Sequence, residues 1–318
     1  MLEFNPNEMT VPEVHRLLVG GVAPRPIALV STVSKQGVDN LAPYSFFNTF
    51  GANPPMVAFS PSRRGSNGSL KDTYNNLVET GECVIQAVTY NIVSQVSVAS
   101  AEYLPDVDEF VKSGLTKIES TIVKPKRVKE SPFQMECILK QMIPLGDKNA
   151  SGNLAVCEVV KFHVDENIIV NGTIEPNLID LVSRMSANYY CRANGSAIFS
   201  LEQPNTKLGV GFDNLPDKVK NSKTFSGFEL GRLASIQVIP TPTESRQYLE
   251  QYRLSENCDR DFSSLFQTYT ENSNLEKMIE LLVSTNKNDI QTMIETVIKI
   301  AIEKNQIEVA WHLISLLK

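Results

Sequence analysis

The stretch PRPIALVSTVSKQGVDNLAPYSFF, residues 24–47, alternates, turns, and then alternates again. In PIALVSTVS (26–34), Ile27, Leu29, Ser31 and Val33 face one way and Ala28, Val30 and Thr32 the other, which is the period of two of a β-strand. Lys35-Gln36-Gly37 supplies the turn. Gly37 is placed for the positive φ of a tight hairpin loop, and VDNLAPYSFF returns as the partner strand. Pro43 has no amide to give a ladder, so the returning strand ends in a small, polar, aromatic sequence: Asn40, Ala42, Pro43, Ser45, Phe46 and Phe47.

Working outward, PPMVAFSPS (54–62) and ECVIQAVT (82–89) read as further short strands. FQMECILKQMIPL (133–145) and GNLAVCEVVKFHVDENIIV (152–170) form a long late hairpin around the turn-rich GDKNASGN. Short strands joined by turns predict an antiparallel sheet, and a closed or nearly closed barrel removes its edges. The fold class expected is therefore mainly β with added helices. SLKDTYNNLVETG (69–81) is the best-signalled helix, with Ser69 as N-cap and Gly81 just past the end. NIVSQVSVAS and DEFVKSG predict shorter helices, and NLIDLVSRMSANYYCR (177–192) another. From Thr243 the chain is charged, glycine-free and helically periodic, without a convincing internal repeat. A boundary near PTPTES thus separates a domain of 1–242 from a helical extension of 243–318.

Length and composition set limits. A chain of 318 residues, 42% hydrophobic, can bury a sizeable core, and its longest uncharged apolar runs are strand-sized, so no bilayer span and a cytoplasmic location are expected. A formal charge of −6 argues against wrapping nucleic acid, and the locally basic KPKRVK (124–129) reads as a solvated loop. Cys83, Cys137, Cys157, Cys191 and Cys258 are widely spaced and read as reduced thiols, mostly in the core. His15, His163 and His312 have no partner at ligand spacing, so no metal is expected. GVGF (209–212) lacks the third glycine of a dinucleotide fingerprint, and no serine or cysteine sits in a nucleophile elbow.

The order RPIALVST, NLAPYSFFN, PPMVAFSPSRR, KDTYNN and TGECVIQ resembles the flavin reductase-like family. RVKESPFQMECILKQMIPLG and GNLAVCEVV resemble that family's late hairpin. IDLVSRMSANYYCRANG and KLGVGFDNLPDKVKNSKTFSGFELGRLASI resemble its longer, flavoredoxin-like branch with a C-terminal extension. The likeness runs over roughly residues 10–240. It implies an FMN-binding split β-barrel, a homodimer with flavin near the subunit seam, and NAD(P)H as transient hydride donor.

FMN is flat and amphipathic and ends in a phosphate of charge about −2, so it needs a slot of small polar groups and an anion nest. The slot expected lies along Ser31, Thr32, Val33, Pro43, Tyr44, Ser45, Phe46 and Asn48; the alternative is a barrel strand with core aromatics. The nest expected is SPSRRGSNGSLKDT, with Ser60, Arg63, Arg64, Lys71, Asp72 and Thr73 before and inside a helix N-terminus; the alternative is a loop with solvated arginines. The extra GSNGS leaves open whether Arg63 or Arg64 reaches the phosphate. Arg184 resembles a family position near the flavin edge and reads equally as a helix-surface arginine.

The activity expected is NAD(P)H-dependent reduction of FMN, with reduced flavin passing to an acceptor such as a monooxygenase. No catalytic side chain is demanded, because the cofactor carries the chemistry. Two other classes stay open: an FMN electron carrier with little NAD(P)H activity of its own, and an interaction protein acting through its helical tail.

Overall fold

The computed structural model describes residues 1–203, 207–254, 262–287 and 290–317. The chain divides into two compact units, Met1–Ser200 and Leu201–Lys318.

The first unit is built on seven strands: β1 (Ala28–Val33), β2 (Asp39–Tyr44), β3 (Phe47–Ala52), β4 (Pro55–Phe59), β5 (Glu82–Ala87), β6 (Phe133–Pro144) and β7 (Asn153–Val164). They form one sheet in the order β2-β1-β5-β6-β7-β4-β3, antiparallel throughout. Gly37 takes the positive φ (85°) required between β1 and β2. Same-face residues from along the sheet meet in one core: Ala28, Val30, Tyr44, Val57, Phe59, Ile85, Cys137 and Cys157. The sheet's two ends, β2 and β3, are joined only through Ser45 and Phe46 and do not pair in the strand order, so the barrel is open at that seam.

The outer face of β1 and β2 is covered as well. Leu29 and Leu41 pack with Val96 and Phe110 from two helices, Val93–Ala99 and Glu109–Ser113. Burial on both faces explains why Ser31 and Thr32 lie almost wholly out of solvent. A further helix, α1 (Val11–Gly21), begins with a Thr10–Glu13 capping box, a signal absent from the helices expected above. Cys83, Cys137 and Cys157 are buried and Cys191 is half-buried; Cys258 lies outside the described residues.

Three sequence expectations change. The helix expected from Ser69 spans Asp72–Thr80, with Lys71 rather than Ser69 at its N-cap. Residues 177–192 are not a helix: one turn, Pro176–Ile179, stops at Asp180 in the left-handed region (φ 51°). Val182–Arg184 then pairs with both Tyr190–Arg192 and Arg25–Pro26, so cross-strand bonding overrides the helical spacing. The strand β3 was not expected, because its outward, largely exposed side chains give no hydrophobic alternation.

The third change is the boundary, which falls at Ser200/Leu201 rather than at 242. In the second unit, Leu215, Val219, Phe225 and Leu233 share a core with Trp311, and Trp311 Nε1 donates to the Leu233 carbonyl at 3.0 Å. These residues come from the glycine-containing segment before the periodic tail. The tail's short helices are paired as hairpins. The helix pairs Phe262–Glu271/Leu275–Ser284 and Gln291–Glu303/Ile307–Ile314 turn through left-handed Ser273 and Asn305. Matching 2.8 Å bonds run from Asn274 N–H to the Tyr269 carbonyl and from Gln306 N–H to the Ala301 carbonyl.

A chain ending at Ser200 is expected to be soluble and to melt cooperatively. One ending at Pro242 leaves Leu215, Val219, Phe225 and Leu233 without their core and is expected to aggregate. Gel filtration and thermal melts of both compare them, and equal behaviour would contradict the boundary at 200.

Candidate functional site

A shallow, open cleft lies where β2, the start of the helix Asp72–Thr80 (α2) and the segment 99–109 meet. Its floor is a buried polar network. Asn40 Oδ1 accepts from Thr32 Oγ1 (3.1 Å) and Thr73 Oγ1 (2.8 Å), and Asn40 Nδ2 donates to both Glu109 carboxylate oxygens (3.2 Å). Glu109 also accepts the Leu41 amide at 2.9 Å, and Asn76 Nδ2 donates to Thr32 at 3.0 Å. Burial pushes the Glu109 carboxyl up from its ordinary value, against the hydrogen bonds from Leu41 and Asn40 that favour its charge. The network binds β1, β2, α2 and the helix of Glu109 to one another.

The wall of the cleft carries two cations, Arg64 and Lys71, beside the carboxylates of Asp72 and Glu102. Arg64 donates to the Leu70 carbonyl (2.6 Å), Ser69 Oγ (3.2 Å) and Asp72 Oδ2 (3.2 Å), which fixes its guanidinium beside the helix start. Lys71 stands at the N-cap, half-buried, with Nζ 5.3 Å from the Tyr44 ring centroid. Among the described residues no ion pair engages it. Burial, and then Arg64, hold its pKa below the ordinary lysine value, with Glu102 opposing. A lysine side chain cannot accept from the helix, so the Asp72 and Thr73 amides open toward the cleft without a side-chain cap. Two cations and a bare helix N-terminus suit an anion.

Of the residues expected at a flavin site, the cleft gathers Pro43, Tyr44, Arg64, Lys71, Asp72 and Thr73. Two of these have other roles than expected. The Thr73 hydroxyl is committed to Asn40, leaving its amide for a ligand, and the Asp72 carboxylate holds Arg64. Arg64, not Arg63, lines the cleft; Arg63 turns back to the Gly68 carbonyl (2.9 Å), closing the inserted loop.

The others lie elsewhere. Ser31 Oγ donates to the Lys126 carbonyl, Thr32 lies beneath the cleft, and Val33 ends its strand opposite Asp39. Ser60 bonds Ser62 and Asn153. Asn48 is exposed on β3. Ser45 and Phe46 sit at the barrel seam beside Arg25, whose Cζ is 6.0 Å from the Phe46 ring. Arg184 is directly opposite Arg25 in register and lies over Tyr190 at 4.6 Å.

Sequence reasoning missed Glu109, the 99–103 wall and Arg25. Arg25 is buried, donating to the Val19, Val22 and Met185 carbonyls. For Glu109 the signal available was a charge in a short, otherwise amphipathic run; its partners, Asn40 and Leu41, lie far upstream. Among the described residues no helix is long and apolar enough to cross a membrane, and no cluster of His, Cys, Asp or Glu could hold a metal ion.

Comparison with known proteins agrees with this architecture. An uncharacterized protein of Halalkalibacterium halodurans is 36% identical over 205 residues, 64% of this chain and 97% of that one. The crystal structure of nitrilotriacetate monooxygenase component B from Bacillus cereus superposes with a TM-score of 0.60 at 37% identity, covering 63% of this chain and 98% of that one. A split-barrel protein from Shewanella frigidimarina, assigned as a flavin reductase, shares the fold with a TM-score of 0.54 at 24% identity, covering 64% of this chain and all of that one. The model of the flavin reductase like domain matches residues 20–178, half of the chain, and this protein is therefore a member of the flavin reductase-like family, built on the split barrel with a helical C-terminal unit.

Proposed function

We propose that the cleft holds FMN by its phosphate and that the protein is an NAD(P)H-dependent flavin reductase. The observation that carries the first half is Lys71, a half-buried ammonium beside Arg64 at a bare helix N-terminus, with no ion pair of its own among the described residues. Arg64 fits the same group: Asp72 and the Leu70 carbonyl hold its fork in place beside the Asp72 and Thr73 amides. When bound, FMN would supply the redox chemistry, with NADH or NADPH as the hydride donor. The chain's part is to bind and orient. The Asn40–Glu109 network keeps the α2 amides in place, so little reorganisation accompanies binding. Small Ala42 and Pro43 leave the cleft's side open, and exposed Phe46 offers an aromatic face at the seam. The likeness to a monooxygenase component supports delivery of reduced flavin to a partner.

Lys71→Ala is expected to weaken FMN binding by about 1.5 to 3 kcal/mol, the range for hydrogen bonds to charged groups, and to leave riboflavin nearly untouched. Fluorescence titration measures both, and an unchanged FMN affinity would remove Lys71 from the site. A pH series gives the sign independently. The phosphate favours charged Lys71, so its pKa rises on binding. The FMN-to-riboflavin affinity ratio is then full below the depressed pKa of the free protein and falls as pH climbs toward the value in the complex. A ratio flat with pH in the wild type would argue against that contact.

Purified protein is expected to consume NADH or NADPH in the presence of FMN. Tight FMN binding with no consumption would instead favour an electron carrier. The reading also has the protein working as a homodimer, joined through exposed apolar side chains such as Leu18, Phe50 and Tyr189. A monomer mass at micromolar concentration in sedimentation equilibrium would rule that out.

A further inference from the structure

Tyr44 closes β2 with its ring packed on Phe59, centroids 5.2 Å apart, and with Lys71 above it. Only 5% of its surface is exposed. It lines the cleft, yet its hydroxyl is a buried oxygen that makes no well-formed hydrogen bond among the described residues: the nearby Thr73 hydroxyl gives its proton to Asn40. Native interiors rarely tolerate such a group, because it has lost its water without gaining a replacement. A phenylalanine would pack on Phe59 without that loss. Burial above all pushes the phenol's pKa up; the neighbouring Thr73 side chain and Arg64 pull it down, and the Asp72 and Glu109 carboxylates add to the rise, so the group stays an O–H donor at working pH. The charged groups that shape its titration are those of the anion site itself.

We propose that the Tyr44 hydroxyl is a ligand-directed donor, hydrogen-bonding the phosphate terminus of bound flavin and so selecting the 5′-phosphomonoester over the dephosphorylated flavin. This rests on the assignment of the cleft to FMN. The hydroxyl lacks a partner because its partner arrives with the ligand, and the free protein carries the cost of the unmet group. The proposal therefore makes two predictions of opposite sign for one conservative change: Tyr44→Phe weakens binding and does not weaken the fold.

The test uses the full chain, wild type and Tyr44→Phe, with FMN and riboflavin titrations, thermal melts of the flavin-free protein, and the melting shift produced by inorganic phosphate alone. In the variant the FMN Kd is expected to rise about tenfold or more and the riboflavin Kd to stay within about twofold, as for loss of a bond to a charged acceptor. The flavin-free variant should melt at the same or a higher temperature than wild type, and phosphate should stabilise it less. An unchanged FMN Kd, or equal losses for FMN and riboflavin, would overturn the proposal, as would a lower melting temperature accompanied by an unaltered phosphate shift. If wild type is stabilised by phosphate but does not bind FMN, and Tyr44→Phe loses that stabilisation, the FMN assignment falls while Tyr44 stands as the anion donor. Wild-type protein indifferent to both ligands would overturn both.

Discussion

Asn40 commits its whole side-chain amide to neighbours from three other elements. Its oxygen accepts from Thr32 on β1 and Thr73 at the helix start, and its nitrogen donates to Glu109. Asn40, Thr32 and Thr73 are all almost completely buried, so each bond acts in a low-dielectric setting where losing one leaves a desolvated partner. The position of the α2 N-terminus relative to β2 follows from these bonds. So does the direction in which its first amides, Arg64 and Lys71 face.

The barrel's topology explains why a cleft exists there at all. The sheet runs from β2 at one end to β3 at the other, and these strands, only two residues apart in sequence, do not pair. The end strand β2 carries Pro43, which cannot donate, and its inner face carries Asn40, Ala42 and Tyr44 in line. A sheet edge left open in this way invites aggregation unless it is covered. Here α2 covers part of β2 and leaves the cleft open beside it. On the far side of Ser45, Arg25 and Phe46 form a second polar-aromatic cluster, held by carbonyls of Val19, Val22 and Met185.

The local parts of this arrangement were legible in the sequence. The β1–β2 hairpin showed in its alternation and in Gly37, and the two cations of the cleft showed because Arg64, Lys71 and the helix start are neighbours in the chain. What sequence did not reveal depends on contacts between distant residues. Glu109 gains meaning only through Asn40 and Leu41, and the Thr73 hydroxyl, expected at a phosphate, is diverted to Asn40 by the packing of α2 on β2. Ser31 was read as facing a ligand, yet it lies between two packed layers and bonds Lys126. The segment 177–192 carries apolar residues at helical spacing, but its partner strand, Arg25–Pro26, lies far upstream. The domain boundary was misplaced because the residues before 242 lack helical texture, although Leu233 and Phe225 belong to the Trp311 core.

The proposed seat of the FMN phosphate at the start of α2 is open to observation in crystals of the protein soaked with FMN. Phosphate density is expected within hydrogen-bonding distance of Lys71 Nζ and the Asp72 and Thr73 amides, beside Arg64. Flavin bound elsewhere, with this cleft holding only water, would contradict it.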